Sequence, residues 1–481
     1  VCVRERERER FSSMVKRMTR GRRGSIPTTR RWSVLKTAVA LRLAIVAAIA
    51  IADILVPDYD TSTELLDYGA EPPVSPLDEF VRRALRGFSH WDAVYFTHIA
   101  QHGYTFEQFQ AFFPCLPLAI RGIVNAVGAF AFQLKVRWLS TRAAILLSGV
   151  GLNFVAVVLG AVELHKLSRA IMPNAPREFH RTTALLYCIA PASVFLSVIY
   201  TEALYALFSF WGLRILFETL NRHMPKSSWR ALGRIASAEA VGLLTAAGLL
   251  ALSVGLRSTG FTYGLFFVAY LFYRFPPLQF RRWSLAECLW MVGVMAVCAV
   301  VILAPMVANQ YFAYSRYCTD ENPNRHLSPW CDDFLPNAYS YVQAKYWEVG
   351  FLRYYQFHQI PNFLLAAPVL VISASALFRF PWLPSASKPA RNPLLVPFYL
   401  HWLFLFCTAL TILHVQVATR FLSATPPLYW FIADLLLKSR RSRETYVLFR
   451  GLAPAHFGLL AFCFTYMVVG VVLFSNFYPW T

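Results

Sequence analysis

VLKTAVALRLAIVAAIAIADILV, residues Val34 to Val56, is apolar over the length that a helix needs to cross a bilayer, about 20 residues. The basic stretch Lys16 to Arg31 precedes it and the acidic Asp58 and Asp60 follow it, so its start is read as cytoplasmic and its end as lying on the far side. The run is too long for the core of a cleaved leader and lacks a convincing cleavage site, which makes it a retained anchor. Ahead of it, Val1 to Arg10 contains RERERER, the product expected of a translated dinucleotide repeat. That segment is set aside from fold reasoning, with Met14 a candidate start. Residues 1–33 as a whole read as a basic, disordered cytoplasmic stretch.

Composition extends this reading to the whole chain. Of 481 residues, 57% are hydrophobic and 15% charged, with mean hydropathy +0.44, more apolar surface than one soluble core uses. The 40 Phe, 23 Tyr and 13 Trp suit helix ends in interfacial belts. A formal charge of +20 would suggest nucleic acid in a soluble protein, but here the basic residues sit in short tracts between apolar runs, as the positive-inside rule requires.

Further candidate spans fall at roughly 138–162, 183–199, 203–220, 237–255, 261–275, 286–308, 363–378, 394–414, 421–437 and 452–474, about eleven in all with the first. Alternation then places Lys166, Arg169 and Arg181; Arg222, Lys226 and Arg230; Arg281 and Arg282; Lys388 and Arg391; and Lys438, Arg440 and Arg441 in the cytoplasm. Phe112 to Phe132 is apolar enough to cross but contains Arg121 and Asn125, so it is read as re-entrant or interfacial. The alternative is that it crosses and another short segment does not. The expected architecture is an all-α polytopic membrane bundle forming one domain over 34–476, with far-side loops at about 57–113 and 309–362, the first of them structured.

This topology gathers polar groups on the far side: Ser89-His90-Trp91-Asp92, His98, His102, Glu107, Tyr200-Thr201-Glu202, Arg257-Ser258, Gln310 to Asn362, and His414 to Arg420. A charge beside a hydrophobic span is costly unless it is paired, snorkelling or lining a wet cavity. Taken singly, Arg257 and Arg420 read as snorkelling at helix ends, Glu202 as a helix cap and His98 as a satisfied interfacial residue. Asp92 stands out because it follows Trp91 at the start of an amphipathic stretch that puts Trp91, Tyr95, His98 and His102 on one face. No phosphate-binding Gly-rich loop, HExxH or dinucleotide-binding pattern occurs in its required setting, and the nine Cys include no CxxC, which argues against a zinc site.

Several long strings carry a resemblance: SHWDAVYFTHIAQHGYTFE (89–107), AFFPCLPL (111–118), YTEALYALFSFWG (200–212), LRSTG (256–260), YSYVQAKYWEVGFLRYYQFHQIPNFLLAAP (339–368) and HVQVATRFLSATPPLYW (414–430). With them the chain resembles the PIG-V, or GPI mannosyltransferase 2, family over nearly all of its length after residue 34. The resemblance implies a GT-C-class enzyme of the endoplasmic reticulum membrane that adds the second, α-1,6-linked mannose to the glycosylphosphatidylinositol (GPI) precursor. The implied donor is dolichyl-phosphate mannose, with the active site in the lumen. Donor and acceptor are both lipid-linked, and the bilayer is itself a partner; a membrane partner subunit is left open. The alternatives are another lipid-linked-sugar transferase of the same class and, further off, a transporter, for which no internal repeat is found.

Transfer from a β-linked donor to an α-linked product inverts the anomeric carbon, so one carboxylate takes the acceptor proton during direct displacement. Asp92 is the expected catalytic residue. Arg257 or Arg420 would meet the phosphate leaving group without nucleotide or metal. Trp91, His98, Glu107, Tyr200, Glu202 and Gln343 complete the expected substrate site. The sequence requires no cofactor, and no metal ligands are assigned, although a divalent ion stays open. Cys318 and Cys331 flank a polar tract in a loop read as luminal, where paired thiols oxidise, and a disulfide between them is expected.

Overall fold

The computed structural model describes residues 28–59, 72–133, 138–223, 232–274, 284–319, 328–379, 392–441 and 454–480. The 1–27 part of the basic start and the tracts with Lys226 and Arg230, Arg281 and Arg282, and Lys388 and Arg391 lie outside them. Regular structure among the described residues is helical: α1 (Thr28–Leu55), α2 (Pro76–Ala84), α3 (Ala93–His102), α4 (Cys115–Gln133), α5 (Thr141–Ile171), α6 (Arg177–Cys188), α7 (Glu202–His223), α8 (Leu232–Val254), α9 (Gly264–Arg274), α10 (Leu285–Tyr317), α11 (Ala338–Trp347), α12 (Ile360–Arg379), α13 (Val396–Thr411), α14 (Ala418–Phe421), α15 (Pro426–Arg441) and α16 (Pro454–Phe474). Among the described residues, 8 helices are long and apolar enough to cross a membrane, in α1, α4, α5, α7, α8, α10, α12 and α13, and Gly458–Phe474 in α16 is a shorter apolar helix.

Three expected spans take a different local form. The 183–199 segment is not one helix: α6 ends at Cys188 and the chain continues as buried turns to Tyr200. Pro191 is the physical reason, since it has no N–H for the ladder and its ring clashes with the preceding turn. The helical part of 261–275 is the 11-residue α9, preceded by a 3-10 turn at Ser258–Tyr263. In 421–437 the turn Leu422–Ala424 comes first, and α15 starts only at Pro426, a residue suited to a first helical position.

Unwound backbone at membrane depth must be satisfied by protein. The fully buried Arg42 of α1 does this for 188–197: Nη1 donates to Ser193 O (3.2 Å) and Ser197 Oγ (3.0 Å), and Nη2 to Ser193 Oγ (2.7 Å) and Cys188 O. Asn153 of α5 continues the support, its Nδ2 donating to Tyr200 O (2.9 Å) and Val198 O.

The first turns of α4 are tied to the neighbouring polar segments. Cys115 N donates to Gly255 O (3.0 Å), and Arg121 spends its guanidinium on Ala100 O (2.8 Å) and Ile99 O (3.2 Å), carbonyls at the end of α3. The chain rejoins the bundle at Ser140, whose N–H and hydroxyl donate to Asp78 Oδ1 at 2.9 and 2.8 Å, while Arg142 reaches Thr97 Oγ1 (3.3 Å). α4 is itself long and apolar enough to cross a membrane.

Candidate active site

The 3-10 turn Arg86–Phe88 delivers the chain to Trp91, whose φ of 55° is left-handed, and Asp92 then starts α3. An Asp at this position ordinarily caps its own helix. Here its side chain makes no capping bond, and Oδ2 instead accepts from Arg420 Nη1 at 2.8 Å. The Asp92 N–H donates to the Tyr200 hydroxyl at 3.0 Å, so the end of the unwound segment holds the residue's backbone.

Glu202, the first residue of α7, is the floor of the site. Its Oε1 lies 2.9 Å from Arg257 Nη1 and 4.0 Å from Arg420 Nη1. Arg257 stands just beyond α8, with its guanidinium 5.7 Å from the Tyr205 ring centre. Arg420, from α14, lies 5.5 and 5.4 Å over the rings of Phe195 and Tyr200. The result is a chain of alternating charge, Asp92–Arg420–Glu202–Arg257, contributed by four separate elements. Side-chain exposure falls from 31% at Asp92 to 3% at Glu202, so Asp92 is at the mouth. Burial works to lower the Arg420 pKa, but the charges of Asp92 and Glu202 outweigh it and hold the group firmly cationic. Three polar atoms on this wall, Glu202 Oε2, Arg420 Nε and Thr419 Oγ1, are buried without a hydrogen-bond partner from the protein. Such atoms are costly in a low-dielectric wall and mark where a polar ligand would be received.

The other expected site residues are distributed around this centre. Trp91 is adjacent, but it precedes α3 and turns away from the face of Tyr95, His98 and His102; its ring packs near Phe477 at 6.0 Å. His98 bonds Thr105 Oγ1 (3.0 Å) and packs on Phe109 (5.0 Å), and burial, then His102, lowers its pKa. Glu107 is a clamp between its own turn and residues 328–346: Oε1 accepts from Ser328 Oγ (2.7 Å) and Trp330 Nε1 (3.1 Å), and Oε2 from Lys345 Nζ and Tyr346 OH (both 3.1 Å). Gln343 is on α11, half-buried, and its carbonyl closes the helix by accepting from Val349 N (3.1 Å). Cys318 and Cys331 are bridged, with Cα atoms 5.3 Å apart, next to the Trp330 that holds Glu107.

Sequence reasoning missed Arg42, Asn153 and the contact of His90 with Phe477, and placed Thr419 only within the polar stretch His414 to Arg420. The Arg42 signal was available as a charge inside an apolar run; the others depend on contacts across long separations. One cluster has metal-ligand composition: Asp53, Asp58 and His90 bring ligand atoms within 4.8 Å of one another. Arg86 Nη2 already lies 3.4 and 3.2 Å from the two carboxylates, so a guanidinium provides the compensating charge there.

A helical bundle with this many membrane-spanning candidates and a carboxylate–guanidinium network gathered from four elements is the architecture of a polytopic membrane protein. Residues 31–481 match the family described as mannosyltransferase (PIG-V), and the chain belongs to that family. It is a mannosyltransferase. The chain is similar to GPI mannosyltransferase 2 of Drosophila melanogaster, 32% identical over 93% of this chain and 99% of that one. It is also similar to GPI alpha-1,6-mannosyltransferase 2 of Homo sapiens, 31% identical over 94% and 99%. Among solved structures, an oligosaccharyltransferase from Archaeoglobus fulgidus shares a TM-score of 0.47 at 12% identity, covering 94% of this chain and 56% of that one.

Proposed function

We propose that this mannosyltransferase moves mannose from dolichyl-phosphate mannose to a one-mannose GPI precursor, forming the α-1,6 linkage at the luminal face of the endoplasmic reticulum membrane. The observation that carries the reading is the Asp92–Arg420–Glu202–Arg257 network with its three unpartnered buried atoms. A neutral sugar alone does not call for two guanidiniums, whereas a phosphodiester donor does. The acceptor and the linkage are those named for the relatives.

In this reading the donor phosphate lies against Arg420 and Arg257. Arg420 now shares its charge with Asp92; an arriving phosphate competes for the guanidinium and loosens its hold on the Asp92 carboxylate. That carboxylate takes the proton of the acceptor hydroxyl as the oxygen attacks C1 from the face opposite the phosphate. The new C1–O bond forms as the C1–O bond to phosphate breaks, and the electron pair leaves on dolichyl phosphate, whose growing charge the guanidiniums stabilise. Glu202 keeps the two arginines apart and anchored. Both substrates are lipid-linked, so a site at the mouth of a bundle receives them without extracting either from the bilayer.

The test is transfer by membranes containing this chain, supplied with radiolabelled dolichyl-phosphate mannose and the one-mannose precursor. The expected product is a two-mannose precursor sensitive to an α-1,6-mannosidase. Label delivered only from a nucleotide-linked mannose, or in another linkage, would overturn the assignment.

A further inference from the structure

The segment after α16 returns to the active site. Ser475 Oγ donates to Val471 O (2.7 Å), Asn476 Nδ2 to Val472 O (2.7 Å) and Tyr478 N to Leu473 O (3.0 Å), so 475–478 fold over the end of α16. Phe477 there has φ 57°, a left-handed conformation that a residue with a side chain keeps only when its surroundings over-determine it. Its buried ring stacks on His90 with centroids 3.7 Å apart and lies 6.0 Å from Trp91. Two further ties join the same strap to the first polar segment. Asn476 O accepts from Tyr59 N at 2.9 Å, and the Tyr478 ring is 5.4 Å from that of Tyr59.

Trp91, the residue before Asp92, is the other left-handed residue of this contact. Its backbone decides the direction in which the chain enters α3 and so where the carboxylate points. On one side the Tyr200 hydroxyl holds the Asp92 N–H; on the other, the strap fills the space beside His90 and Trp91. His90 is itself buried, and burial followed by the Arg86 charge takes its pKa down to about 3, so a neutral ring meets the Phe477 face at ordinary pH.

We infer that Phe477 is a positioning residue for mannosyl transfer: its stacking on His90 locks the left-handed Trp91 and thereby aims the Asp92 carboxylate. The inference rests on Asp92 being the base. The test compares Phe477→Ala, Phe477→Leu and Phe477→Tyr in the full chain, with rates normalised to folded enzyme. Misplacing a reacting group by about 1 Å can cost about 100-fold, so Phe477→Ala should lose at least about tenfold in kcat while KM for the donor moves less than about threefold. Phe477→Tyr, which keeps the ring, should recover most of kcat. Wild-type kcat per folded Phe477→Ala enzyme, a loss confined to KM, or a Phe477→Tyr variant as slow as Phe477→Ala would each overturn the inference. If the Phe477→Ala chain does not accumulate, Phe477→Leu decides in the same way, because it keeps bulk and loses the stack. Asp92→Asn measured alongside separates the two ideas: normal turnover there removes the base assignment and this inference together, whereas an inactive Asp92→Asn beside a fully active Phe477→Ala removes the strap alone.

Discussion

Arg42 and Arg420 are both arginines buried among helices, yet they are set in opposite surroundings. Arg42 is fully enclosed and directs its bonds to two backbone carbonyls and two serine hydroxyls of 188–197. Arg420 is partly open, is paired with Asp92, faces Glu202 and has a buried Nε without a protein partner. The first arrangement satisfies the backbone of a helix broken by Pro191; the second leaves bonding capacity unused beside a partly open carboxylate. An intramembrane charge is a fair functional candidate from sequence, but its partners decide between scaffold and chemistry.

The functional side of that contrast should give the largest effects. Asp92→Asn keeps the shape of the side chain and removes only its capacity to take a proton, so transfer should fall by about 10²–10⁴-fold while insertion and donor binding persist. Loss of donor binding instead would recast Asp92 as a positioning group. Arg420→Ala should cost about 10²–10³-fold in kcat if it stabilises the leaving phosphate, and Arg257→Ala less, because Arg257 stands farther from Asp92 behind Glu202. Lys at either position should recover part of the rate by restoring charge without a bidentate contact. Wild-type donor dependence in both Ala variants would return these arginines to simple snorkelling.

The structural arginine should behave differently. Arg42→Met fills the space without reaching Cys188 O or Ser193 O, and each abandoned buried acceptor costs about 1–3 kcal/mol. The expected outcome is less folded protein and a lower melting temperature, with kcat and KM of the surviving enzyme near wild type. A selective collapse of kcat with normal thermal stability would show that the 188–201 segment is coupled to Asp92 through Tyr200 more tightly than the contrast implies.

Much of the bundle was legible because hydropathy and loop charge are local properties of a membrane chain. The boundaries of α7 and α12 follow from them to within a few residues, α1 and α8 start several residues early, and α5 and α10 both run well past the expected spans. The broken 183–199 segment was not, although Pro191 was visible, because its compensation is supplied by Arg42, some 150 positions away. In the site, Asp92, Glu202, Arg257, Arg420 and Tyr200 do converge; Asp92 was marked by its amphipathic stretch, whereas Glu202, Arg257 and Arg420 read singly as cap or snorkelling residues until the family resemblance gave them roles. Gln343, His98 and Glu107 share the same end of the chain's topology but are bonded elsewhere, a distinction of side-chain partners that spacing does not encode.

The smallest effect is expected at the Glu107 clamp, which sharpens the contrast from outside the charge network. Burial acts to raise the Glu107 pKa, but hydrogen bonds from Ser328, Trp330 and Lys345 prevail and hold it below the usual carboxylate range. Its folded-state pKa is therefore depressed, so its contribution to stability is present above the unfolded value of about 4.3 and is lost as pH falls through the folded one. Glu107→Gln should cost about 1.5–3 kcal/mol at neutral pH, the scale of a hydrogen bond to a charged group, and flatten the acid limb of the stability curve. The Cys318–Cys331 bridge makes a second handle on the same clamp, because it holds Trp330 in place beside Glu107. Non-reduced peptide mass spectrometry should recover the linked pair, and alkylation in intact membranes should need a reductant. After reduction, the pH dependence should approach that of Glu107→Gln while Asp92 chemistry proceeds at nearly the same rate. A kcat loss on reduction as large as that of Arg420→Ala would instead join the clamp to the catalytic network, and the separation between scaffold and chemistry would fail at this loop.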